Sequence, residues 1–119
     1  MPEPTHPSVR NALGIFEALR RLGFPADDIY FLSGTDTVTG ETAFFVQLRS
    51  QDKVLSINVG AVPSPPEVEE GFAWWNDPTV DSYHRGALYT SCGALQGGRS
   101  AMLVVLLKSR GFVFPMNYN

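Results

Sequence analysis

The chain has 119 residues and a formal net charge of −3, and of its nine Lys and Arg only Arg20 and Arg21 adjoin. That length suits one domain with a core of its own. The scattered basic residues exclude the cationic stripe that binding to nucleic acid or to an anionic membrane surface requires, and an apolar fraction of 44% with 12% aromatics excludes a disordered chain.

Residues 1–6 read as a loose lead-in. PSVRNALGIFEALRR then carries Val9, Leu13, Phe16 and Leu19 at helical spacing, widened by Ala12 and Ile15. Pro7 fits the first helical turn, where its missing N–H costs nothing. Gly23, followed by Phe24 and Pro25, is the stop signal. Asp27-Asp28 reads as turn chemistry before the first strand.

Three strands follow, IYFLS (29–33), TAFFVQLR (42–49) and KVLSINV (53–59). Phe44, Val46 and Leu48 share one face of the second, and Leu55, Ile57 and Val59 one face of the third. Gln47, Arg49, Ser56 and Asn58 alternate with them, so one sheet face is buried under the first helix and the other is partly wet. The short SQD connection predicts an antiparallel hairpin between strands two and three.

Ser64, Pro65 and Glu67 form a capping-box pattern that opens a helix from Pro65 to Trp75, with Val68, Phe72 and Trp75 on one side. Asp77 is placed to cap a further helix from Pro78, and residues 79–92 lean helical. In the final apolar run, AMLVVLL, apolar residues wrap most of the circumference, and Lys108, Arg110 and Gly111 end it. The expected fold class is α+β: an N-terminal helix packed on a three-stranded antiparallel meander, followed by two or three helices including a buried C-terminal helix, in a single domain over 1–119. This order also describes double-stranded-RNA-binding domains, but the final helix lacks the basic end that phosphate contacts need.

The one cysteine, Cys92, precludes an internal disulfide, and MPEPTHP has no apolar leader, so the expected location is cytoplasmic. No metal or cofactor motif is present: His and Cys are too few, Asp36 and Glu41 do not make a calcium loop, and GGRS is no phosphate loop of nucleotide-binding type.

Two constellations carry the functional readings. The first is acidic and aromatic. Glu69 and Glu70 lie beside Trp74 and Trp75, with Tyr83 following, and on a helix Trp74 points about 100° away from Trp75. Exposed aromatics with charged neighbours are typical interface anchors. They predict a non-enzymatic protein-binding or adaptor module that self-associates, with a protein partner or a second copy and neither nucleic acid nor membrane as ligand.

The second constellation is SCGALQGGRS. Cys92 would act as nucleophile, Arg99 with the Gly97-Gly98 backbone as anion cradle, and His84, oriented by Asp81, as base. That describes a small thiol-dependent hydrolase or phosphatase-like enzyme. The spacing from Cys92 to Arg99 is one residue longer than the phosphate loop of cysteine phosphatases. Eight helical residues from His84 to Cys92 would span about 12 Å. A third reading is a structural component of a larger assembly, such as a phage particle.

Overall fold

The computed structural model describes residues 2–85 together with Leu107, Lys108 and Gly111. Helix α1 spans Pro7–Arg21, a 3-10 turn Ala26–Asp28, and strands β1, β2 and β3 span Ile29–Thr35, Thr42–Ser50 and Lys53–Gly60. Helix α2 spans Pro65–Asn76. A helical turn at 82–85 and helical Leu107–Lys108 follow, which makes the arrangement α+β as the sequence indicates.

Helices α1 and α2 start where their capping chemistry predicts. Pro7 is the first residue of α1, and the residue before it, His6, accepts the Ser8 N–H at Nδ1 (3.1 Å). The lead-in is therefore tied down: the Arg10 guanidinium donates to the Pro4 carbonyl (3.1 Å) and lies 3.5 Å from the Glu3 carboxylate. Gly23 takes the left-handed conformation at φ +97° that ends α1 without a Cβ clash. In α2 the capping box is complete. Ser64 Oγ accepts the Glu67 N–H (3.3 Å), and Glu67 Oε1 accepts the Ser64 N–H (3.0 Å). The Ser64 N–H first, and then the Ser64 hydroxyl, hold the Glu67 carboxyl below its ordinary range.

The sheet is a meander in the order β1-β2-β3, antiparallel throughout, with Phe31 opposite Val46 and Val46 opposite Ile57. Ser50 pairs with Lys53, so Gln51 and Asp52 alone form the β2–β3 turn, both at positive φ (50° and 65°). That is the backbone of a type I′ hairpin, built without the usual Asn-Gly. At the other end β3 carries a bulge: Phe44 faces Gly60 and Phe45 faces Asn58, which leaves Val59 as the extra residue, turned into the core. Asn11 donates to the Val59 carbonyl (3.0 Å) and the buried Ser8 hydroxyl to the Ala61 carbonyl, so α1 satisfies backbone that the ladder has released.

Helix α1 lies on the inner sheet face. Ala12, Ile15, Leu19, Val46, Leu48 and Leu55 are buried together, and Leu107 joins them fully buried. Each large side chain among them contributes about 1.5–3 kcal/mol on burial. A second cluster, Val9, Leu13, Trp74 and Trp75, joins α1 to α2. The helices approach closely there, since a Cβ at Gly71 would lie 2.5 Å from Val9 Cγ1.

After α2 the chain departs from expectation. No helix begins at Pro78. The Asp77 carboxylate accepts the Thr79 N–H (2.8 Å) and hydroxyl (2.7 Å), and the Val80 N–H bonds the Asp77 carbonyl, which closes a turn. The helical turn starts only after Asp81, which accepts the His84 N–H (2.8 Å). Arg85 then reaches back and donates to the carbonyls of Trp75 (2.7 Å) and Asp77, supplying the cation that the last turn of α2 lacks.

Candidate functional site

The two tryptophans are core residues. Trp74 is 5% exposed and Trp75 9% exposed. Trp75 packs edge-on against Phe16 (5.8 Å, 89°). Trp74 belongs to the same cluster with Val9 and Leu13, and the turn at 77–80 returns Val80 onto it. The 100° between neighbouring helical positions therefore does not send Trp74 into solvent, because both faces are covered. Phe72, which shares the Trp75 side, is half-buried against Phe31 (4.7 Å, 70°). Of the acidic and aromatic set, Glu69, Glu70 and Tyr83 remain on the surface, Tyr83 at 80% exposure.

The predicted Asp81–His84 pairing is present. His84 Nδ1 lies 3.3 Å from Asp81 Oδ1, and both side chains are exposed. The same carboxylate oxygen takes the His84 backbone N–H, and that bond holds the Asp81 carboxyl below its ordinary range. The pair is thus the N-cap of a surface turn. Cys92 and Arg99 lie outside the described residues. Among the described residues, no three His, Cys, Asp or Glu side chains are grouped to hold a metal ion, and no helix is long and apolar enough to cross a membrane.

A site that the strand alternation only half disclosed lies on the outer sheet face. Tyr30 and Leu32 from β1, Phe45, Gln47 and Arg49 from β2, and Val54, Ser56 and Asn58 from β3 all project from the side opposite α1. Tyr30 is 39% and Val54 54% exposed. The Arg49 guanidinium stacks on the Tyr30 ring, 4.0 Å from its centre. Gln47 ties the strands together: its Oε1 accepts from Arg49 Nε (2.6 Å) and its Nε2 donates to Ser56 Oγ (2.9 Å).

At the opposite end of the face the β1–β2 loop curls over the sheet. Asp36 organises it. One carboxylate oxygen accepts the N–H groups of Val38 (2.8 Å) and Thr39 (3.1 Å), and the other accepts Asn58 Nδ2 (2.6 Å). These bonds, that from Asn58 first, keep the Asp36 carboxyl ionised to below the ordinary range. Between loop and sheet lies an open hollow of about 490 Å³, floored by Leu32, Phe45, Gln47, Ser56 and Asn58 and rimmed by Asp36 and Val38. Phe45 was the signal in the sequence: an aromatic residue among the alternate positions of TAFFVQLR belongs to the face otherwise read as wet.

Compared with protein-family models, with curated proteins and with solved structures, the chain matches none of them.

Proposed function

We propose that this chain is a small protein-binding module that acts through the outer face of its sheet. One observation supports the reading above the others. Half of the residues the strands place on that face, Tyr30, Leu32, Phe45 and Val54, are aromatic or aliphatic, and Arg49 stacks on Tyr30, where a sheet face meant only for water would be polar throughout. Aromatic residues and Arg are enriched in protein interfaces. The chemistry of the face, stacking, apolar contact and side-chain amides, suits recognition and contains no group poised for bond making. Glu69, Glu70 and Tyr83 lie elsewhere on the surface, outside the face to which this reading assigns binding. The single cysteine fits a reducing compartment, and we place the protein in the cytoplasm on that ground.

The test is a face-specific substitution. Val54→Glu puts a charge on an exposed position of the face and removes no core contact. Association of the protein, with itself or with a partner isolated from its native source, is expected to fall while thermal stability stays within about 0.5 kcal/mol. Binding that survives both Val54→Glu and Tyr30→Ser would refute the assignment of function to this face.

A further inference from the structure

We infer that the occupant of the outer sheet face is the same face of a second copy of this chain, packed so that Arg49 of each copy meets the Asp36-rimmed hollow of the other. The inference rests on the protein-binding reading above and adds to it the partner and the geometry.

The face carries both halves of a complementary pair. Its cation, Arg49, stands at the end of β2 nearest the β2–β3 turn. The carboxylate of Asp36 stands at the other end, beside Asn58 and Phe45. Phe45 and Arg49 are four residues apart on one strand, so knob and hollow are separated by about 13 Å. Two copies can stack face to face about a two-fold axis that lies between the sheets. If that axis runs along the strands, Arg49 meets Arg49 and Asp36 meets Asp36. If it crosses the strands near Gln47, each Arg49 meets the Phe45 and Asp36 end of the other copy, and the two Tyr30 residues, which pair with Gln47 in the register, meet near the axis. Electrostatics selects the second arrangement. An unrelated partner would have to supply a matching cation and hollow, whereas a second copy supplies both at the required spacing.

Size sets the strength. Three strands about 4.8 Å apart and seven residues long give a footprint of roughly 14 by 23 Å. The loop residue Val38, 91% exposed at the rim, extends it. That is small beside the roughly 800 Å² per partner of a standard interface, so the dimer is weak and concentration-dependent.

Sedimentation velocity on the full chain, from about 10 μM to about 1 mM, is the experiment. Wild type is expected to move from monomer to dimer across that range. Arg49→Glu opposes Asp36 of the other copy at both ends and should raise the dimer Kd about tenfold or more. Asp36→Lys should do the same from the other side. Mixed one to one, the two variants should recover wild-type association, because every knob then meets an opposite charge. Far-ultraviolet circular dichroism and urea midpoints of each variant establish that it is folded, and Val54→Glu repeats the test without touching the Asp36 loop. Tyr83→Ala and Glu69→Lys/Glu70→Lys should dimerise as wild type does. Dimerisation that is lost on these last variants and kept in Arg49→Glu overturns the inference while leaving a protein-binding module intact. A wild type that stays monomeric throughout also overturns it, and a partner whose binding Val54→Glu abolishes would then preserve the functional reading alone.

Discussion

Gly71 is the tightest point between the two helices and allows a quantitative test of the core. Alanine at an interior helical position is intrinsically better than glycine by about 1 kcal/mol. At Gly71 the added Cβ would lie 2.5 Å from Val9 Cγ1, with Leu13 Cδ1 at 3.7 Å and Pro4 Cβ at 3.8 Å. Val9 is buried and β-branched, so it has little freedom to rotate away. Overpacking of this kind costs about 1–3 kcal/mol. The two effects leave Gly71→Ala less stable by about 1 kcal/mol, a fall in Tm of about 4 °C for a domain of this size. Val9→Ala alone should cost about 2 kcal/mol through lost burial and the space it leaves. If the effects were independent, the double variant would lose about 3 kcal/mol. It should lose only about 1 kcal/mol, because with Val9 truncated the methyl added by Gly71→Ala fits and the helical preference of alanine returns. Urea unfolding of the four proteins measures this cycle. A Gly71→Ala protein more stable than wild type, or strict additivity in the double variant, would refute the close approach of α1 and α2.

Asp52→Gly relieves the positive φ at the second turn position of the β2–β3 hairpin and should stabilise the protein by about 0.5 kcal/mol after the added freedom of the unfolded chain; a lower urea midpoint would contradict the turn assignment. Ser64→Ala removes the α2 cap and should cost about 1 kcal/mol, and Ser64→Asp should recover most of that loss in the same assay. The Asp36 carboxyl is held low by Asn58, Val38 and Thr39, so its contribution to stability is present above the ordinary carboxylate range and is lost as pH falls through the lower, folded-state value. Glu67, Asp77 and Asp81 act with the same sign. Asp36→Asn should therefore flatten the fall in urea midpoint at acid pH; an unchanged slope would count against the Asp36–Asn58 contact. On the binding-module reading, alkylation of Cys92 by iodoacetamide should rise only near the ordinary thiol value of about 8.5 and ignore sulfate. A midpoint well below that, moved by sulfate, would revive the thiol-enzyme reading.

The parts of this molecule that were legible in sequence are those set by neighbours a few residues away. Pro7 and Gly23 bracket α1, Ser64 and Glu67 open α2, and alternation along β2 and β3 assigns the buried face. The Asp81–His84 pair also followed from spacing alone, since three residues on a helical turn bring the side chains together. The same Asp81 oxygen that faces the imidazole also accepts the His84 backbone N–H, which caps the turn and was not foreseen. Asp77 failed as a helix cap. Thr79 offers it both a backbone and a side-chain donor, and these bonds favour a turn over helix propagation.

The sequence by itself determined the α+β order, the α1 and α2 boundaries to within a residue or so, the β2–β3 hairpin and the inner face of the sheet. Only the tertiary structure decided which aromatic residues meet water. Helical spacing sends Trp74 and Trp75 in different directions, and both are buried because Val9 and Leu13, far earlier in the chain, and Val80, after the turn, cover them. Likewise Tyr30, Leu32, Phe45 and Val54 belong to three strands, and they became one open surface only when the register aligned them and α1 chose the opposite side. Caps, turns and strand alternation are short-range effects that a few adjacent residues fix. Exposure is a property of what packs from elsewhere, and that is decided by the competition of all apolar faces for a limited number of partners.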